Sequence, residues 1–194
     1  MRKARFVSVA LVTICFAASA AIWSCTPAAK QEAATPTAMT AEQKVARGQY
    51  LATVIGCNDC HTPGAFYGAP DMNRMLAGSE LGWKGPWGVS FAQNLTPDST
   101  TGIGTWTEAQ IIAAIREGRR PDSTPLLPPM PWPDFAKLSD EDAQSLAAYL
   151  KTIPAVIHTN VKAVAPGQKY TGAYLELPPP PAWDAPAPPA AAAK

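Results

Sequence analysis

Proline sets the first limit on how this chain folds. Its 194 residues include 21 Pro. Each one fixes φ and removes a backbone donor, so helices must form between them. Six lie in the loop from Arg119 to Lys137, and Leu177-Pro178-Pro179-Pro180-Pro181 opens a Pro/Ala stretch that runs to Lys194. Apolar periodicity fades from Ala155 onward. Polyproline makes no internal hydrogen bonds and stays extended, so residues 155–194 read as an extended or disordered tail. The alternative is a strap lying on a partner subunit, with Trp183 as its anchor.

The other end reads as a targeting segment. Arg2, Lys3 and Arg5 precede an uncharged apolar run over residues 6–22, which ends in small residues. That order is the order of an export signal, so residues 1–24 are expected to be a signal peptide. A retained anchor is the alternative, because the run approaches the roughly 18 residues of a membrane span. Ala18-Ser19-Ala20 offers an ordinary cleavage site. Ile22-Trp23-Ser24-Cys25 resembles a bacterial lipoprotein box, although Trp23 departs from the pattern. The resemblance implies a lipidated Cys25, and a two-chain anchor holds a protein on a membrane. Residues 25–39, mostly Ala, Pro, Thr, Lys, Gln and Glu, read as a flexible tether. The foldable domain is therefore expected over residues 40–154. With 16 Lys+Arg against 15 Asp+Glu, the net charge of +1 carries no polybasic signature, which argues against nucleic acid as a partner.

Three helices are predicted in that domain. Thr40-Ala41-Glu42-Gln43 is a capping box, and Val45, Leu51 and Val54 fall near one face of a helix running toward Gly56. Gly48 inside it costs about 1 kcal/mol against Ala, which points to a close helix contact. Thr107-Glu108-Ala109-Gln110 repeats the box, followed by an Ile111, Ile112, Ile115 face and a stop at Gly118. Ser139 opens the third, with Asp140, Glu141 and Asp142 at the end the helix dipole favours. Leu146, Tyr149 and Leu150 form its stripe, and Pro154 ends it. Residues 62–105 and 119–137 read as Gly/Pro-rich loops without strands. The expected fold class is all-α. Long loops of this kind are unusual in a compact domain, and three helices alone give it a thin core. A large apolar group would complete it.

Cys57-Asn58-Asp59-Cys60-His61 supplies the chemistry. C-x-x-C-H in an exported chain reads as a c-type haem attachment site. Two thiols add to the two vinyl groups, and the adjacent imidazole meets the iron. A thioredoxin-like C-x-x-C follows a strand in a βαβ context, and none is read here. A zinc site needs about four ligands, and only Cys57, Cys60, His61 and the distant His158 are candidates. A disulfide between residues three apart is strained. One motif means one covalent haem c. The remaining cysteines, Cys15 and Cys25, fall in the signal and at the cleavage site. For the sixth ligand, Met130 sits in Leu127-Pro128-Pro129-Met130-Pro131-Trp132, where flanking prolines hold the loop out of a helix. His/Met ligation raises the potential relative to His/His. Met39 in the tether, Met72 and Met75 in the loop after the motif, and His158 are the competitors.

The capped helix with Gly48 and Tyr50, the C-x-x-C-H, the Pro-flanked Met130 and the final Leu146-Ala147-Ala148-Tyr149-Leu150 together resemble a class I cytochrome c. Asn94-Leu95-Thr96-Pro97-Asp98, Thr101-Gly102-Ile103-Gly104-Thr105-Trp106-Thr107 and Leu127–Pro131 resemble, more narrowly, the cytochrome subunits of bacterial membrane-bound alcohol, aldehyde and sugar dehydrogenases. Those subunits often carry three haem domains, and this chain carries one motif. The resemblance implies helices packed around one covalent haem, with the first and last crossing near Gly48, Tyr50, Leu146 and Tyr149. It places Asn94 and Trp106 near the haem. Trp83, Trp87 and Trp132 would wall the pocket, meet a propionate, or simply pack in the core.

The function expected is that of a monohaem c-type cytochrome, an electron carrier rather than an enzyme. It would pass single electrons in the periplasm between a periplasmic or membrane dehydrogenase and the respiratory chain, with a cytochrome or oxidase as further redox partners. It would be held at the membrane by lipidated Cys25 or be soluble in the periplasm. The alternatives are a haem enzyme with an open sixth position, for which Arg116, Glu117, Arg119 and Arg120 are the clustered polar candidates, and a haem-bearing structural or sensor subunit.

Overall fold

The structure, a computed structural model, describes residues 38–178. The expected signal peptide, Cys25, the tether as far as residue 37 and the chain from residue 179, with Trp183, lie outside the described residues.

Three longer helices form the apolar centre. Helix α1 (Ala41–Val54) starts on a closed capping box, in which Gln43 N donates to Thr40 Oγ1 at 3.2 Å and Thr40 N donates to Gln43 Oε1 at 2.8 Å. Two short helices, α2 (Cys57–His61) and α4 (Trp132–Phe135), flank α3 (Glu108–Glu117) in the chain. α3 opens on the same box at Thr107 and Gln110 and stops at Gly118, φ 65°. α5 (Asp140–Thr152) is capped by the Ser139 hydroxyl, which accepts from Asp142 N at 3.1 Å.

α1 and α5 cross at Gly48, where a Cβ would overlap the Ser145 carbonyl oxygen and lie 2.6 Å from Tyr149 Cβ. The close approach explains the helix-weakening glycine. Leu51, Ala52, Leu146, Ala147, Tyr149 and Leu150 share one buried cluster with Ile103 and Ile111. Arg47–Asp142 at 2.8 Å ties α1 to α5, and Arg116–Asp140 at 2.5 Å ties α3 to α5. Two expected positions differ. Tyr50 is 55% exposed, with the Arg47 guanidinium over its ring rather than α5, and Val54 is 56% exposed. Gly48, Leu51 and Ala52 form an i, i+3, i+4 stripe, which turns Tyr50 and Val54 to the opposite side of the helix.

The loop expected to lack strands holds a hairpin. β1 (Gly82–Gly85) pairs antiparallel with β2 (Gly88–Phe91), Trp83 opposite Ser90 and Lys84 opposite Val89. β3 (Tyr174–Glu176) adds parallel to β1, Leu175 opposite Trp83, giving the order β2-β1-β3. The fold is therefore helices plus a small sheet, not purely α. The domain boundary also moves. Val89 and Val164 exchange backbone hydrogen bonds at 2.9 Å, His158 N donates to Thr101 Oγ1 at 3.0 Å, and Lys84 Nζ pairs with Glu176 at 2.9 Å. Residues 155–177 thus return along the domain instead of leaving it at Pro154. Strands of three or four residues carry almost no period-2 signal, and β3 is defined only by its distant partner. No helix among the described residues is long and apolar enough to cross a membrane.

Candidate functional site

The chain reverses between α1 and α2 at Gly56, φ 73°, where a side chain would also meet the Asp59 carboxylate at 2.8 Å. Only glycine adopts that backbone cheaply, so α2 starts immediately and carries Cys57, Cys60 and His61 on little more than one turn. Thr62 locks its end. The Thr62 hydroxyl donates to Asn58 Oδ1 at 3.0 Å and accepts from Leu76 N at 3.0 Å, while Thr62 N donates to Asn58 O at 3.0 Å.

His61 Nδ1 lies 2.7 Å from the Gln93 carbonyl oxygen. A carbonyl only accepts, so the proton sits on Nδ1 and the Nε2 lone pair remains for a metal. Burial pushes the imidazole pKa below its ordinary value, against the opposing bond to Gln93. The ring is thereby kept in its neutral, coordinating form.

The thiols are free. Burial, first, pushes Cys57 up to about 11, and burial followed by the Asp59 charge raises Cys60. Redox-active dithiols show the opposite shift, toward the thiolate. Among the described residues no three His, Cys, Asp or Glu side chains gather as a metal cage requires. Cys57 packs against the buried cluster, as do the partly buried Met75, Leu95, Trp106, Ile112 and Ile115. This donor set fits two thioether attachments and one imidazole ligand, with Cys57 packed on the apolar core.

Met130 is partly buried in the loop before α4. That loop is held on two sides. Leu126 N donates to Gly118 O at 2.7 Å, and the buried Ser90 hydroxyl of β2 donates to Pro128 O. The Trp132 ring lies against Gly118. Among the competitors, Met72 is 63% exposed, Met75 packs on the core, and the His158 ring has Nε2 3.6 Å from Glu80 Oε1. That last separation is within ion-pair range but beyond a hydrogen bond.

Asn94 is a hub of the protein's own hydrogen bonds. Its Nδ2 donates to Thr101 Oγ1 at 3.1 Å and Val156 O at 2.8 Å, and its Oδ1 accepts from Thr96 N at 2.9 Å and Thr96 Oγ1 at 2.7 Å. Trp83 stacks edge-on with Phe66 at 4.9 Å, and Trp87 Nε1 donates to Trp83 O and Ser90 Oγ. Trp106 packs on the core, and its carbonyl accepts from Lys151 Nζ at 3.1 Å. Arg116 and Arg119 are taken up by Asp140 and Glu117. Gln93 and Ser90 were not singled out by the sequence. A backbone carbonyl has no residue signature, and Ser90 lies in an unrecognised strand.

The chain is similar to the cytochrome c subunits of bacterial dehydrogenases. It is 38% identical over 108 residues to the cytochrome c subunit of a quinone-type alcohol dehydrogenase from Gluconobacter oxydans (strain 621H), covering 56% of this chain and 21% of that one. It is 38% identical over 118 residues to the fructose dehydrogenase cytochrome subunit of Gluconobacter japonicus, covering 60% and 23%. A diheme cytochrome c-type protein of Cereibacter sphaeroides is 30% identical over 158 residues, covering 79% of this chain and 49% of that one. The chain thus spans about a fifth of the first two relatives and about half of the third. No family model matches it.

Proposed function

We propose that this chain is a class I, monohaem c-type cytochrome that transfers single electrons in the periplasm between a dehydrogenase and the respiratory chain. The observation that carries the reading is the C-x-x-C-H helix whose His61 has Nδ1 committed to Gln93 O and Nε2 free to ligate. Cys57 and Cys60 would hold one haem through their sulfur atoms, and His61 and Met130 would ligate its iron. The bound haem supplies the one-electron change of its iron.

The chain's residues bind, orient and shield. Gln93 fixes the imidazole. The Met130 thioether favours the ferrous state. The buried cluster against which Cys57 packs limits the access of water. The chain acts as a carrier subunit rather than an enzyme. Similarity to cytochrome subunits named for alcohol and fructose dehydrogenases supports a dehydrogenase as electron donor. The single C-x-x-C-H supports one haem, although one relative is diheme. Lipidation at Cys25 holds the protein at the membrane surface.

The test is the intact mass and pyridine haemochrome spectrum of the mature chain from bacteria able to mature cytochromes c. One covalent haem is expected, retained on denaturation and lost when both Cys57 and Cys60 are replaced by Ala. A mass equal to the bare polypeptide overturns the reading.

A further inference from the structure

We infer that Gln93 is a positioning residue, and that the segment 156–164 is a strap through which it holds the His61 ring and sets the electron affinity of the site. The inference rests on the reading of His61 as an iron ligand.

The strap reaches His61 by two routes. The first runs through the ring. Gln93 O accepts from His61 Nδ1 at 2.7 Å, and the side chain of the same Gln93 is itself pinned. Its Nε2 donates to Phe91 O at 2.9 Å and to Val161 O at 3.3 Å. The peptide unit that receives the ring proton is therefore clamped between the end of β2 and the strap. The next residue adds a second tie, because Asn94 Nδ2 donates to Val156 O at 2.8 Å.

The second route runs through the main chain of His61. Its carbonyl accepts from Gly78 N at 2.8 Å, and the preceding carbonyl, Ala77 O, accepts from Asn160 Nδ2 at 3.1 Å. The strap is anchored at both ends. Val156 N donates to Thr96 Oγ1 at 3.0 Å, and Val164 pairs with Val89 in both directions at 2.9 Å.

The consequence follows from ligand basicity. A firm Nδ1–H···O bond shifts electron density toward Nε2 and makes the imidazole a better donor. A better donor favours ferric iron. Loosening Gln93 weakens that bond and raises the midpoint potential. Gln and its replacement Met are both uncharged, so the shift cannot be attributed to a change of charge beside the site.

The experiment uses the full-length mature holoprotein carrying Gln93→Met, which keeps chain length and removes the donors. The expected result is a midpoint potential above wild type, with the His61 Nδ1–H exchanging with solvent about tenfold faster, as for loss of a good hydrogen bond. Asn160→Leu, on the second route, should shift the potential in the same direction by less. An unchanged potential together with unchanged exchange in Gln93→Met overturns the inference. If that variant does not accumulate, the same two readouts on Asn160→Leu decide it. The exchange rate and the potential are both read on the holoprotein, whose haemochrome spectrum is recorded first. A wild-type protein lacking a haemochrome spectrum therefore refutes the underlying haem reading separately.

Discussion

Asn94→Leu removes the side chain that joins three segments of the domain while nearly preserving its volume. Asn94 is 2% exposed and Thr96 fully buried, so water cannot replace the lost partners. Four hydrogen bonds disappear, but not at equal cost. Val156 O keeps the Thr96 hydroxyl at 3.3 Å, and Thr101 Oγ1 keeps His158 N and Asp98. The Thr96 amide has no other acceptor among the described residues. A neutral hydrogen bond contributes about 1 kcal/mol net, and an orphaned buried donor costs about 1–3 kcal/mol. Three bonds lost with partners still paired, plus one orphaned amide, give a loss of about 4–6 kcal/mol. In guanidinium the slope for a domain of this size is about 3–5 kcal/mol/M, so the unfolding midpoint should fall by about 1 M. Equilibrium denaturation followed by far-ultraviolet circular dichroism measures this. A loss below about 1 kcal/mol with an unchanged slope refutes the hub. If the haem spectrum changed while stability did not, the contact implied by the family resemblance would be the better account.

Three further outcomes are expected. Gly48→Ala gains about 1 kcal/mol of helix propensity but overpacks the α1–α5 crossing by up to about 3 kcal/mol. The net loss of about 2 kcal/mol lowers Tm by roughly 4–8 °C, and an unchanged or higher Tm in a thermal melt would show that the crossing is looser than described. Met130→Ala should abolish the weak long-wavelength sulfur-to-iron band of the ferric protein and lower the midpoint potential. A retained band would exclude Met130, and His158→Ala would be the next substitution to examine. Cys25→Ser should move the protein from the membrane to the soluble fraction on cell fractionation. Continued sedimentation with the membrane would favour an uncleaved apolar anchor or a partner subunit.

The parts legible in the sequence are those whose determinants lie within a few residues of one another. Thr40 with Gln43, Thr107 with Gln110, and Ser139 with its acidic first turn mark where α1, α3 and α5 begin, because a cap is satisfied inside a single turn. Gly48 announced a close crossing because its propensity cost needs a packing reason. C-x-x-C-H is legible for the same cause, since attachment chemistry dictates a fixed short spacing. What only the tertiary structure decided depends on partners far apart in the chain. Tyr50 and Val54 face outward because α5 selects which stripe of α1 it buries. The third strand exists because β3 finds β1 across the whole domain. The acceptor for His61 lies 32 residues away, and the ties from Asn94 and Gln93 to the strap span 62 and 68. Each is made to a backbone carbonyl, which every residue type possesses. No local pattern can single one out, and only the folded chain chooses among them.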